Sequence, residues 1–182
     1  MPATIIILAI ILVWFVLIYN SLISQKNIVK EAWSGIDVQL KRRYDLIPNV
    51  VDTVKSYSSY EKSLLQDITN LRTRTMQLNT PAEKASPESE LSGLLKNLLA
   101  VVENYPDLKA NQNFLKLQEQ LTEVEDQIQY ARRYYNGAVR DYNTRVQSFP
   151  SNLIASLFGF KEAEFFGITL ATERETPKAG MS

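Results

Sequence analysis

An apolar run near the N-terminus is the first pattern in this sequence. No charged residue occurs from Ala3 to Tyr19, and the run continues past Asn20 and Ser21 as far as Ile23. As a helix, residues 3–23 have a length of roughly 30 Å, which matches the hydrocarbon core of a bilayer. No basic segment precedes the run and no small-residue cleavage site follows it, so the pattern favours an uncleaved signal-anchor over a cleaved secretory signal. We therefore predict a transmembrane anchor in residues 1–25, marked along its length by Ala3, Ile11, Trp14, Tyr19 and Ile23.

The charges beside this run indicate its orientation. Only the terminal amine precedes it, whereas Lys26 and Lys30 follow closely and Lys41, Arg42 and Arg43 follow farther along the chain. Positive charge next to a span is retained on the cytoplasmic side of the membrane. The pattern therefore favours an N-terminus outside the cell and a C-terminal body in the cytoplasm.

A helical stripe begins directly after the anchor. Apolar residues recur at steps of three and four from Val29 to Leu71, a near-heptad period that predicts a helix with one buried face. Pro48 lies inside the stripe without changing its phase, which favours a kinked helix that continues past the proline. Because no Gly or Pro separates Ile23 from Val29, we expect the anchor and the first body helix to be one continuous helix.

Two further helices are predicted in the rest of the chain. Residues 79–90 are polar and contain two prolines, so we expect a loop there, with Ser86 as the N-cap of a second helix that ends near Asn104. A longer stripe indicates a third helix from about residue 107 to residue 150. A short apolar turn follows it, and Gly159 is the residue expected to end that turn.

The narrow stripes determine the expected fold class. A long helix with a narrow apolar stripe must bury that stripe against a partner, and no segment has the alternation of a strand. We predict an all-α fold in which the N-terminal transmembrane helix continues into an antiparallel bundle of long helices. The bundle domain then occupies residues 26–170, and a disordered polar tail occupies residues 171–182. Such stripes also pack between chains as coiled coils, so a homo-oligomer is a second expectation.

The residue types that are missing restrict the chemistry. The chain has no Cys and no His, which excludes disulfides and Ser-His-Asp or Cys-His catalysis and removes the commonest metal ligands. Lys+Arg and Asp+Glu number 20 each, so no overall basic field favours nucleic acid. We accordingly expect no enzymatic activity, no cofactor, no metal ion and no nucleic-acid partner.

Polar residues at helical spacing form a ridge on each long helix. They are candidates for a buried network that fixes the register of the two helices. The members of this candidate network are Asp37, Arg42, Asp45, Asn49, Arg132, Asn136, Arg140 and Asp141. The simpler alternative is a set of ordinary ion pairs beside the core, and a carboxylate pair for catalysis or an oxygen-ligand metal site is the remaining one.

A second candidate site is an apolar, aromatic segment near the end of the bundle domain. Its members are Leu153, Leu157, Phe158, Phe160, Phe165 and Phe166. One interpretation is a lid that packs over one end of the bundle. The other is a hydrophobic contact with the membrane or with a neighbouring subunit.

Three long segments resemble the LemA family of bacterial membrane proteins. They read AWSGIDVQLKRRYDLIPNVVDTVKSY (residues 32–57), VVENYPDLKANQNFLKLQEQL (residues 101–121) and YARRYYNGAVRDYNTRVQSFPSNLIASLFGFKEAEFF (residues 130–166). The resemblance implies an N-terminal transmembrane helix, a short external N-terminus and a helical-bundle domain, placed at the bacterial plasma membrane. It implies no particular enzymatic activity. Some relatives are similar to magnetosome-membrane proteins and others occur alongside membrane proteases, which suggests membrane organisation or stress handling.

Two functional hypotheses follow. The first is a non-enzymatic, single-pass membrane protein that self-associates through its long helices and scaffolds or shapes the membrane, with the lipid bilayer and further copies of itself as partners. The alternative is a membrane-anchored adaptor or signalling module that recruits another protein, such as a membrane protease.

Overall fold

A computed structural model describes residues 2–57 and 61–167. Within these ranges the chain forms six helices and no strand. The helices are α1 (Pro2–Lys55), α2 (Lys62–Met76), α3 (Pro81–Val102), α4 (Pro106–Lys109), α5 (Gln112–Gln147) and α6 (Ser151–Leu157). The predicted all-α class is confirmed, and so is the continuity of the apolar N-terminal helix with the first helix of the body. The tail predicted at residues 171–182 lies outside the described residues.

The two longest helices, α1 and α5, form the centre of the bundle through side chains that repeat every seven residues. On α1 the buried residues of one such repeat are Val29, Ile36, Arg43 and Val50. On α5 they are Phe114, Leu121, Ile128, Tyr135 and Tyr142. This is the spacing of helices that pack along a common seam.

Contacts along this seam show that α1 and α5 are antiparallel. Arg145 Nη1 of α5 lies 2.5 Å from Ser21 Oγ of α1, at the end of the bundle nearest the apolar part of α1. At the opposite end, Asn111 Nδ2 donates a hydrogen bond of 2.8 Å to Tyr57 Oη. The apolar part of α1 extends beyond the seam, because its side chains become buried only from Leu22 onward.

Helix α1 ends earlier than the apolar stripe indicates. The prediction of one helix as far as Leu71 is wrong, since α1 ends at Lys55 and a separate helix, α2, carries Leu65, Ile68 and Leu71 into the core. The reason is physical: a helix that turns back on its predecessor can bury its own stripe in the same core, so the period alone does not distinguish one helix from two.

Pro48 lies inside α1, as the stripe predicts. A proline has no N–H to donate to the carbonyl four residues earlier, which here belongs to Tyr44. Arg72 of α2 supplies the missing donor, with its Nε atom 2.6 Å from Tyr44 O. The α1–α2 contact therefore satisfies the carbonyl that the proline leaves free.

Helix α3 begins earlier than predicted. The loop expected at residues 79–90 is wrong, because α3 starts at Pro81 and Pro87 lies inside it. Thr80 is the N-cap: its side chain accepts from Glu83 N at 3.3 Å, and Glu83 Oε2 accepts from Thr80 N at 3.1 Å. This reciprocal capping box stabilises the earlier start. The pair Ser86–Pro87 has no such glutamate three residues after its serine.

The third predicted helix is divided near its start. The short helix α4 precedes α5, and Asn111 caps α5 by accepting from Asn113 N and Phe114 N. The end of α6 agrees with the sequence, since Gly159 follows the last residues of the helix with a φ of 69°. Glycine adopts this left-handed conformation without the steric cost that a side chain adds.

Candidate functional site

A buried polar cluster around Arg43 lies where α1, α3 and α5 meet. The Arg43 side chain is 1% exposed, and its Nη1 atom is 2.7 Å from both Ser92 Oγ and Glu125 Oε2. The guanidinium also pairs with the carboxylate of Glu88, which in turn accepts a hydrogen bond from the Tyr44 hydroxyl. The cluster thus links one residue pair of α1 to two residues of α3 and one of α5.

Burial controls the electrostatics of this cluster. Desolvation lowers the pKa of the Arg43 guanidinium, while the Glu125 carboxylate opposes that change. Burial also raises the pKa of Tyr44 to about 12, so its hydroxyl is a hydrogen-bond donor at neutral pH. A charged group at a heptad core position favours the one helix register in which its partners face it. The cluster is therefore suited to fixing how the three helices align.

The same cluster does not prepare Ser92 for nucleophilic attack. Ser92 Oγ donates to Glu125 Oε1 at 3.0 Å, but the Glu125 carboxylate is paired with Arg43. The carboxylate is thus already engaged by a guanidinium, whereas a serine nucleophile needs a base that is free to take its proton. The arrangement is therefore better suited to aligning the helices than to catalysis by Ser92.

An open cleft lies beside the cluster, between α3 and α5. It has a volume of about 380 Å³, and its walls are mostly apolar. Leu95 and Leu99 of α3 face Leu121 of α5 across it, with Ser92 and Glu125 at its edge. The two helices therefore leave room between them for side chains from another molecule.

The eight polar residues singled out in the sequence lie at separate places. Asp37 pairs with Lys84 of α3 at 2.7 Å, and Arg42 contacts Gln39 of its own helix. Asp45 and Asn49 are exposed on α1, while Arg140 and Asp141 form an exposed pair on α5. The structure therefore does not join these six into one network; Arg132 and Asn136 belong to a different contact, described next.

Residues 160–166, here called the strap, run along α5 after α6 without forming a helix. Asn143 Oδ1 accepts from Ala163 N at 2.8 Å, and Asn143 Nδ2 donates to Ala163 O at 2.9 Å. Asn136, seven residues earlier, holds both backbone groups of Phe166 in the same way, at 2.9 and 3.2 Å. The hydroxyls of Tyr135 and Tyr142 donate to two further strap carbonyls. Side chains of one helix thus satisfy the backbone of an extended segment.

The end of the strap is buried against both long helices. The Phe166 ring is 5.7 Å from the Trp33 ring, and Arg132 lies over it at 5.2 Å. Phe160 is buried nearer the apolar part of α1, beside Tyr19, and Phe165 is partly buried. These three members of the aromatic segment pack on the bundle.

The other three members lie in or next to α6 and are exposed. Leu153 is 62% exposed, Leu157 72% and Phe158 49%. The Phe158 ring lies beside α1, with its centroid 5.7 Å from that of Phe15 and 4.9 Å from that of Tyr19. The predicted segment is therefore divided between a part that packs on the bundle and a part beside the apolar end of α1.

Raising the pH from 10 to 12 is expected to destabilise the bundle. Burial raises the pKa of Tyr44 and of Tyr135 to about 12, so each phenol holds its proton more tightly in the folded chain than in the unfolded one. The contribution of each protonated phenol to the free energy of unfolding is complete below pH 10 and is lost as the pH rises to 12. The loss is at most about 2–3 kcal/mol for each tyrosine. Urea unfolding at a series of pH values measures the loss.

A pair of adjacent variants controls this measurement. The Tyr135→Phe variant should lose less stability between pH 10 and 12 than the parent chain. Tyr134→Phe, at a position that is 61% exposed, should follow the parent. Identical pH profiles for all three chains would show that the Tyr135 phenol does not contribute.

The fold and its apolar end fit one class of protein. Among the described residues, α1 alone is long and apolar enough to cross a membrane, by its length and composition. A helical body continues directly from it, which fits a single-pass membrane protein. A sequence model of the LemA family matches residues 32–180, and the chain belongs to that family.

The individual relatives that match this chain share less than a third of its residues. Protein LemA of Metamycoplasma hominis is 29% identical over 139 residues, which cover 75% of this chain and 63% of the relative. Magnetosome protein MamQ 2 of Paramagnetospirillum magneticum is 23% identical over 174 residues, which cover 81% of this chain and 64% of the relative. Magnetosome protein MamQ of Magnetospirillum gryphiswaldense is 20% identical over the same length. The chain thus spans a little under two thirds of the length of these relatives.

Proposed function

We propose that this protein is a non-enzymatic membrane scaffold that associates with copies of itself through its helical body. The observation that carries the proposal is the continuity of α1 from Pro2 to Lys55. Because the apolar end and the body share one helix, a lateral contact between two bodies sets the distance and tilt of the two spans. Relatives named as magnetosome proteins are consistent with a role in organising a membrane.

An exposed aromatic ridge on α5 is the surface that best fits such a contact. Tyr130 and Tyr134 lie one helical turn apart and are 60% and 61% exposed. The Arg133 guanidinium lies over the Tyr130 ring, 4.6 Å from its centroid, so the ridge includes a basic side chain. Tyrosine and arginine are enriched at protein interfaces relative to the rest of the protein surface.

The size of the full-length protein in detergent and its effect on vesicles test this proposal. Light scattering should show an oligomer, and electron microscopy should show remodelled or clustered vesicles. The double variant Tyr130→Arg with Tyr134→Arg should shift the protein towards the monomer, because it places like charges across the contact. Glu119→Arg, an exposed position on the same helix, is the control for added charge. A wild-type monomer that leaves vesicles unchanged would contradict the proposal.

The open cleft between α3 and α5 favours a second candidate function. Its apolar walls fit an adaptor that receives a segment of another protein, a membrane protease being one example. A photocrosslinking residue at Leu99 should then capture a different protein in cells. If the captured species is only a second copy of this chain, the adaptor function is rejected and the scaffold is supported.

A further inference from the structure

The outer face of α6 exposes large apolar side chains that do not contact the rest of the bundle. Leu153 and Leu157 lie one turn apart on α6 and are 62% and 72% exposed, and Phe149, which precedes the helix, is 79% exposed. On the opposite side of the same helix, Ile154 and Ala155 are buried in the core. A surface helix in water normally has a polar outer face. The apolar residues of α6 are thus divided between the core and an exposed outer surface formed by Leu153 and Leu157.

Aromatic contacts fix the position of α6 along the apolar run. The Phe158 ring packs on Phe15 and Tyr19, both of which belong to the run from Ala3 to Ile23. From Phe15 to Ile23 an α-helix rises about 12 Å. Helix α6 thus lies beside the last part of the run instead of beyond its end.

The length of the uncovered part of the run supports the same position. Residues 3–14, which α6 leaves free, give about 18 Å of helix, whereas a hydrocarbon core is about 30 Å thick. When the whole run lies in the hydrocarbon core, α6 lies at the depth of its final 12 Å or so. Helix α6 and the final part of the apolar run then lie in the same leaflet.

Positive charge lies where the headgroups of that leaflet are expected. Arg145 contacts Ser21, two residues before the end of the apolar run, and Lys26 Nζ lies 5.6 Å from the centroid of the buried Phe160 ring. Lys161, the next residue, is exposed. Basic side chains at this level interact favourably with anionic headgroups, while the apolar face of α6 lies below them.

From these observations we infer that α6 is a second membrane element, which inserts Leu153 and Leu157, together with the preceding Phe149, into the leaflet that surrounds the C-terminal part of the span. The occupant of this face is lipid. A helix and an adjacent span together fix the rotation of the body about α1 and add volume to one leaflet only. The inference does not depend on self-association, since a single copy has both elements.

Site-directed spin labelling of the full-length protein in vesicles of phosphatidylcholine and phosphatidylglycerol tests this inference. Because the chain has no Cys, single labels at Leu153→Cys and Leu157→Cys need no background substitutions. Ile10→Cys, on the exposed part of the apolar run, is the lipid reference, and Glu119→Cys on α5 is the water reference. Collision with oxygen, which dissolves in lipid, is compared with collision with a water-soluble nickel chelate.

The two α6 labels should behave like the label at Ile10, with an oxygen-to-nickel collision ratio severalfold above that at Glu119. A ratio equal to that at Glu119 would place α6 in water and overturn the inference. Shielding of the α6 labels from both reagents would also overturn it, because protein and not lipid would then cover the face. Far-UV circular dichroism of each labelled variant shows whether the bundle remains folded, and an unfolded variant is replaced by a label at Phe149→Cys.

Discussion

Replacing Arg43 by methionine is expected to lower the free energy of unfolding by about 3–5 kcal/mol, the usual cost of removing one partner from a buried ion pair. The substitution leaves the Glu88 carboxylate buried without its guanidinium and removes the hydrogen bonds to Ser92 and Glu125. Methionine fills much of the same volume, so the loss reports charge and hydrogen bonding more than a cavity. Urea unfolding of the full-length protein in detergent, followed by circular dichroism, measures it.

The adjacent residue provides a matched control. Arg42 has the same side chain on the same helix but is exposed, and Arg42→Met should change the stability by less than about 0.5 kcal/mol. The double variant Arg43→Met with Glu88→Met should be more stable than Arg43→Met alone, because no unpaired buried carboxylate remains at position 88. Equal losses in the two arginine variants would contradict a stabilising role of the buried cluster.

Most of the fold could be predicted from the sequence because each long helix has a narrow apolar stripe. The stripe marks the face that a helix buries, so the existence of the long helices and their continuity with the apolar run could be predicted. The end of α1 could not, since α2 turns back and buries its stripe in the same core. The start of α3 depended on choosing between two similar Ser/Thr–Pro pairs, and Glu83 was the residue that distinguished them.

The buried polar cluster around Arg43 was harder to predict from the sequence than the helices. Arg42 and Arg43 are neighbours of equal charge, and their partners determine which of them is buried. Those partners are far along the chain: Glu88 is 45 residues from Arg43 and Glu125 is 82. One signal was present, because Arg43 continues the seven-residue repeat of Ile36 and Val50. An arginine in register with core residues indicates a buried partner more strongly than the i, i+4 spacing of exposed charges does.

The strap could not be predicted from the sequence, for a different reason. Its residues have neither helical nor strand periodicity, because their backbone is bound by side chains of α5 and not by a regular ladder. The seven-residue spacing of Asn136 and Asn143 placed two amides on one helix face, but an asparagine pair on a helix surface has no single structural meaning. Only the fold brings Ala163 and Phe166 opposite them. The strap thereby connects α6, which lies beside the apolar part of α1, to the middle of the α1–α5 seam.

Replacing Phe166 by alanine is expected to release the strap from α5. The side chain is 1% exposed and packs on Trp33, and removing a buried phenylalanine ring from a packed core costs about 3–5 kcal/mol. Because the strap can detach while the helices remain folded, the loss appears as local opening. Hydrogen exchange at the amides of Ala163 and Phe166, which are hydrogen-bonded to asparagine side chains, should accelerate by about 100-fold to 4,000-fold.

The neighbouring Phe165 is only partly buried, so Phe165→Ala should accelerate exchange at these two amides far less than Phe166→Ala does. Exchange in the middle of α5 should be unchanged in both variants, because the helix keeps its contacts with α1. If Phe166→Ala leaves the Ala163 amide as protected as in the parent chain, the asparagine pair holds the strap without the aromatic contact. If it also accelerates exchange throughout α5, the strap and the central seam unfold as one unit, and Phe166 is then a core residue of the bundle as a whole.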